Sequence, residues 1–92
     1  MNKFNWDLIN QPNTVVHCGT RQQAMELLTE AHSNGFEWRS GEKYINENYF
    51  YIYNNETCYC IYKGTHADIK YYEEIRNRIL KFEECKIIWI KY

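Results

Sequence analysis

The stretch GFEWRSGEKY, residues 35 to 44, sets Arg39 directly beside Ser40 and Gly41. A guanidinium next to the N–H groups of an exposed turn can hold a phosphate or a carboxylate bidentately. Arg39, Ser40 and Gly41 are therefore candidate anion contacts, although an ordinary turn with a solvated arginine is the plainer reading. Trp38 alternates with Phe36 and is expected to face inward as an anchor. A second candidate is Tyr49, Tyr51 and Tyr53, which share one face of an expected strand while Phe50 and Ile52 share the other. An open tyrosine row can stack bases, form a subunit interface, or close a small core with Phe4 and Trp6. The residues leave all three uses open. Arg21, Arg39 and Lys43 are the nearby cations that a phosphate would need.

Other chemistry finds little support. Cys58-Tyr59-Cys60 points two thiols to one face of a strand, but it is not the CxxC knuckle of a zinc site and has no matching second pair. His17 and Cys18 point to opposite faces. No metal site is expected. The chain carries no GxGxxG, P-loop, GxSxG or HExxH motif, and no spacing pairs a thiol with a histidine. No catalytic residue and no cofactor is expected, so the chain reads as a binding protein rather than an enzyme.

Composition narrows the partners. The 92 residues suffice for one domain, and 45% hydrophobic content argues against disorder. Eleven basic and 12 acidic residues leave a net charge of −1, which lacks the basic excess of a duplex-DNA binder. Aromatics make up 17%, nine of them tyrosines; tyrosine packs its ring while its hydroxyl stays wet, which suits an interface. No segment approaches the roughly 20 apolar residues of a membrane span. The polar start, MNKFNWDLINQPN, lacks the apolar core of a signal peptide. A cytoplasmic chain with four reduced cysteines is expected, in which the Asn55-Glu56-Thr57 sequon has no role.

The elements that must position these residues follow from periodicity. Val15 to Cys18 form a β-prone run closed by Gly19. Thr20 and Gln23 make a capping box, and Ala24, Leu27, Leu28 and Ala31 trace one apolar helical face. Asn34-Gly35 supplies the C-cap. Residues 36–39 alternate as a short strand, and residues 48–53 and 58–63 are expected to pair as a hairpin through Asn54 to Thr57. Thr65 and Asp68 resemble a second cap, ahead of a helix marked by Ile69, Tyr72, Ile75, Ile79 and Phe82. Cys85 to Tyr92 reads as a last strand. The order β-α-β-β-β-α-β predicts an α+β fold. Both helices are expected on one face of a mostly antiparallel sheet, with residues 1–13 as an N-terminal arm and 14–92 as a single domain.

The run VVHCGTRQQAMELLTEAHSNGFEWRSGE, with the tyrosine segment and Asn-Glu-Thr-Cys-Tyr after it, resembles small accessory proteins of bacteriophages. Their shared pattern is a strand ending in His-Cys, a helix ending in Ala-His-x-x-Gly, then aromatic-x-Trp-x-Ser-Gly. The resemblance spans about residues 14 to 62. It extends to the Thoeris anti-defence sponges, which sequester cyclic nucleotide signals without cleaving them. It implies a homo-oligomer in the host cytoplasm, with ligand contacts at Trp38, Arg39, Tyr49 and Tyr51. A direct inhibitor of a host defence protein, of the anti-CRISPR type, is the alternative.

Overall fold

Four short strands carry the fold. In the computed structural model of the chain, residues 3–87 are described. β1 (Thr14–His17), β2 (Thr57–Cys60), β3 (Thr65–Asp68) and β4 (Arg78–Lys81) form one sheet in the order β3-β2-β1-β4. β2 runs antiparallel to β1 and β3, whereas β1 and β4 are parallel. The domain is thus α+β, as expected, and its sheet is mostly antiparallel, with the β1–β4 pair as its one parallel pairing among the described residues.

Register decides what each face buries. Val16 lies opposite Tyr59 and Leu80, so these three share one face, and Val15 with Ile79 shares the other. The 13-residue helix Arg21–Ser33 covers the first face with Ala24, Leu27, Leu28 and Ala31. Thr20 Oγ1 accepts from the Gln23 N–H, and Gln23 Oε1 accepts from the Gly19 N–H, so the helix starts where its capping residues require. It ends in a paired Schellman arrangement, Phe36 N–H to Ala31 O and Gly35 N–H to His32 O. The short helix Ile69–Glu74 covers the opposite face, where Tyr72 packs with Val15, Cys58 and Cys60. The expectation of both helices on one face is therefore corrected. A sheet covered on both sides explains why Thr57 to Cys60 are all buried.

The N-terminal residues contribute to the first core. Phe4 and Ile9 are buried there, with Trp6 and Leu8 packed against it. Asn5 caps the helical turn Trp6–Ile9 by accepting from the Leu8 N–H. The Phe4 ring meets Phe82 edge-on at 5.6 Å, and Phe4 bridges Lys86. The Lys86 ammonium lies 2.8 Å from the Glu26 carboxylate, which ties this end of the chain to the long helix.

Four further expectations are corrected. Residues 36–39 form no strand: Trp38 O accepts from the Gly41 N–H and Trp38 N–H donates to Glu42 O, a closed turn. Residues 48–53 are not a hairpin strand. Tyr49 is left-handed (φ 56°), Glu47 Oε1 takes its N–H, and Asn48 Oδ1 takes that of Phe50. Those two carboxylate and amide caps start a helical turn, Phe50–Tyr53, followed by a 3-10 turn, Asn54–Glu56. The strand that pairs with β2 is β3, which lies where a helix cap was expected. Finally, the second helix does not reach Phe82. Arg76 turns left-handed (φ 59°) in a Schellman pair, Asn77 N–H to Tyr72 O and Arg76 N–H to Glu73 O, and Arg78–Lys81 becomes β4. Of the expected last strand, Cys85 closes the 3-10 turn Phe82–Cys85, and residues 88–92 lie outside the described residues. No helix among the described residues is long and apolar enough to cross a membrane.

Gly64 joins the turn at residues 38–41 to the sheet. Its carbonyl accepts from the Arg39 N–H at 2.9 Å, its φ is +69°, and an added Cβ would lie 2.5 Å from Arg39 N and 2.7 Å from Glu37 O. Gly64→Ala is expected to cost roughly 2–5 kcal/mol, since overpacking against backbone adds to the left-handed penalty. Gly41 (φ +90°) has open space around its Cβ direction, so Gly41→Ala should cost only about 1–2 kcal/mol. Denaturant midpoints of the two variants measure the difference, and equal losses would remove the close approach as a constraint.

Candidate functional site

An aromatic cluster sits where the 38–41 turn meets β3. Trp38 is buried, and its indole Nε1–H donates to Glu47 O at 2.8 Å. Its ring meets Tyr44 at 4.7 Å, Tyr49 at 5.1 Å and His66 at 5.5 Å, all edge to face, the geometry that ring quadrupoles favour. The Tyr49 and His66 rings stack in parallel, 4.9 Å between centroids and 6° apart. Tyr53, one helical turn from Tyr49, reaches the same histidine at 5.8 Å. The left-handed backbone of Tyr49 is a sparsely populated state that costs of order 1–3 kcal/mol. The Glu47 and Asn48 side chains sustain it, and the stacking on His66 is what it achieves.

Beside these rings lies a cleft of about 310 Å³, lined by Trp38, Arg39, Ser40, Tyr49, Gly64, Thr65 and His66. A larger groove of about 490 Å³ adjoins it and shares Arg39, Thr65 and His66. The structure therefore brings together four of the sequence-derived site residues: Trp38, Arg39, Ser40 and Tyr49. It separates the others. Tyr51 is 64% exposed and lines neither the cleft nor the groove, because a helical turn places 49 and 53, not 49 and 51, on one side. The expected row of three tyrosines does not exist. Arg21 begins the long helix and lines a different cleft with Tyr44 and Ile45. Gly41 is outside the cleft lining, and its N–H is taken by Trp38 O.

That last bond changes the anion chemistry. The turn was expected to offer free N–H groups beside Arg39. Gly41 N–H is engaged, and Glu42 N–H donates to Ser40 Oγ at 3.3 Å. Arg39 N–H is engaged with Gly64 O. An anion at this turn is thus met chiefly by the exposed Arg39 guanidinium, fixed at its backbone, and not by a nest of amides.

His66 was not singled out by sequence. It belongs to a Gly-Thr-His-Ala-Asp stretch whose alternation after the glycine turn is the signal for β3. Its Nδ1 is buried with no hydrogen-bond partner, and burial lowers its pKa. The cluster thereby favours the neutral imidazole. Thiol chemistry is disfavoured nearby: all four cysteines are buried and free, and burial pushes Cys58 and Cys85 up to about 12 and Cys18 well above its ordinary value. Among the described residues no three His, Cys, Asp or Glu side chains gather as a metal-holding group. The arrangement can hold a flat ring against aromatic walls and pair an anion with Arg39.

The lowered pKa of His66 has a consequence for stability. Below its unfolded value of about 6.5 the unfolded chain binds a proton that the folded chain refuses. Stability should therefore fall as pH drops from about 6.5, until the folded histidine also protonates. In His66→Phe that loss should vanish between pH 7 and 5, leaving a flatter melting temperature profile than wild type; parallel profiles would show that His66 is not buried neutral. As for relatives, no protein-family model matches this chain, and no curated protein and no solved structure matches it.

Proposed function

We propose that this chain is a non-enzymatic binder of a nucleotide-type signal, held and not cleaved in the cleft between the 38–41 turn and β3. The observation that carries this reading is the pairing of aromatic walls with one anchored cation: Trp38, Tyr49 and His66 form the walls, and Arg39 stands at the mouth. Base rings stack on such faces at a gain of about 1–3 kcal/mol each, and a guanidinium matches phosphate geometry. The sequence resemblance supplies the biological setting of a phage protein that sequesters a cyclic nucleotide immune signal in the host cytoplasm.

A second reading, direct inhibition of a host defence protein, is favoured by a different observation. Tyr51 and Ile52 on the turn Phe50–Tyr53 are 64% and 47% exposed, and neighbouring exposed aromatic and aliphatic side chains are what interface cores use.

The test is native mass spectrometry of the protein with cyclic ADP-ribose isomers and cyclic oligonucleotides. A stoichiometric nucleotide mass, released intact on denaturation, is expected for the wild type. Arg39→Ala should weaken retention by roughly tenfold or more, the value of one charge-assisted contact, with an unchanged melting temperature. A wild-type protein that ignores every nucleotide would overturn the first reading, and unchanged binding by Arg39→Ala would remove that residue from the site.

A further inference from the structure

β3 is an edge strand, and the larger groove runs beside it. All four of its residues, Thr65, His66, Ala67 and Asp68, line that groove. Successive side chains of a strand point to opposite faces, so only a space alongside the free edge touches both sets. Backbone direction supports the same placement. Cys18 N–H donates to Thr57 O at 2.9 Å, which aims the Thr57 peptide groups at β1. The antiparallel alternation then turns Cys58 and Cys60 toward β3, and Ala67 and Thr65 back toward β2. His66 and Asp68 are left facing outward. Among the described residues, no turn or loop hydrogen bond engages the His66 or Asp68 N–H.

The two edges of the sheet are treated differently. β4 carries Arg78 and Lys81, the charges that blunt an edge against pairing. β3 carries no lysine, arginine or proline. Beside it Tyr71 and Ile75 line the groove half exposed, at 50% and 49%.

We propose that β3 pairs antiparallel with β3 of a second copy of this chain, joining two sheets into one of eight strands. The charges select that occupant. A two-fold axis at His66 makes each His66 donate to and accept from its counterpart and sets Thr65 opposite Ala67 of the second copy; the pairing stops short of Gly64, whose N–H is donated to Cys60 O and whose carbonyl is taken by the Arg39 N–H. Lys63, exposed and on the same groove, then reaches the Asp68 carboxylate of the second copy. Symmetry repeats the pair at the other end. Asp68 already accepts from the Tyr71 N–H at 2.9 Å, and a carboxylate has acceptor sites to spare. Tyr71 and Ile75 are covered by the same approach. A four-residue edge makes a small contact, which places the dimer among weak, concentration-dependent associations. The inference concerns the edge and goes beyond the ligand reading, which it neither needs nor supports.

Sedimentation velocity over rising concentration, combined with amide exchange, tests it. The wild type should pass from monomer to dimer while the His66 amide becomes protected. His66→Pro removes the outward N–H, which an edge strand tolerates, together with the imidazole that His66→Ala also removes, and should weaken dimerisation by roughly tenfold or more relative to His66→Ala. His66→Ala keeps that N–H and should dimerise within a few-fold of wild type. Lys63→Glu should weaken the dimer and invert its salt dependence, which decides the matter should His66→Pro fail to fold. A chain that stays monomeric at every concentration, a dimer indifferent to both His66→Pro and Lys63→Glu, or a dimer with an unprotected His66 amide would each overturn the proposal.

Discussion

Trp38 must be dry and hydrogen-bonded at once, and much of the molecule is arranged around that requirement. It lies in a segment with no regular secondary structure between the long helix and the turn Phe50–Tyr53. A segment of this kind holds one shape only if something pins it. Glu47 O receives the indole N–H, Glu42 O receives the backbone N–H, and Tyr44, Tyr49 and His66 close around the ring. Gly64 lets the backbone at residues 37–39 come within contact of the sheet where any Cβ would stand in the way. One buried tryptophan thus fixes the loop, the loop fixes Arg39, and Arg39 defines the mouth of the cleft.

Two polar hydroxyl and imidazole groups in this region lack partners: Tyr44 Oη and His66 Nδ1. Buried polar atoms without partners cost free energy that packing must offset. The cluster contrasts with Tyr59, fully buried beside it, whose hydroxyl donates to Asn48 O at 2.7 Å. That bond holds the very residue whose side chain caps Phe50. The left-handed backbone of Tyr49 is therefore braced from both sides, by Glu47 before it and by Asn48 and Tyr59 around it. Strain of this sort persists where surroundings over-determine it, and such places coincide with binding sites more often than elsewhere.

The cleft and the sheet edge meet at His66 but ask different things of it. The cleft uses its imidazole, which lies against Tyr49 on the face shared with Val16 and Tyr59. The edge uses its peptide groups. A residue on an edge strand can serve both because side chain and backbone point at right angles to each other.

The amino-acid sequence alone determined the α+β class, the long helix with its caps, a first strand through Val15 and Val16 and the inward anchor at Trp38. Each of these rests on local physics: a capping box, a 3.6-residue apolar period, a β-branched run. It did not determine where helix and strand change over, because two of the decisive residues, Tyr49 and Arg76, adopt positive-φ conformations that their types do not advertise. Tyrosines at spacing two look like a strand face, yet the Glu47 and Asn48 side chains, each two positions back, captured the Tyr49 and Phe50 amides and wound the segment into a turn. Ile69 to Phe82 keep a helical period, yet the parallel partner β1 claimed Arg78–Lys81 for the sheet. Which cations converge, which tyrosines share a wall and which strand is left at the edge are consequences of long-range pairing. Only the tertiary structure decides such matters, since hydrogen bonds between distant segments outweigh propensities of a few tenths of a kcal/mol per residue.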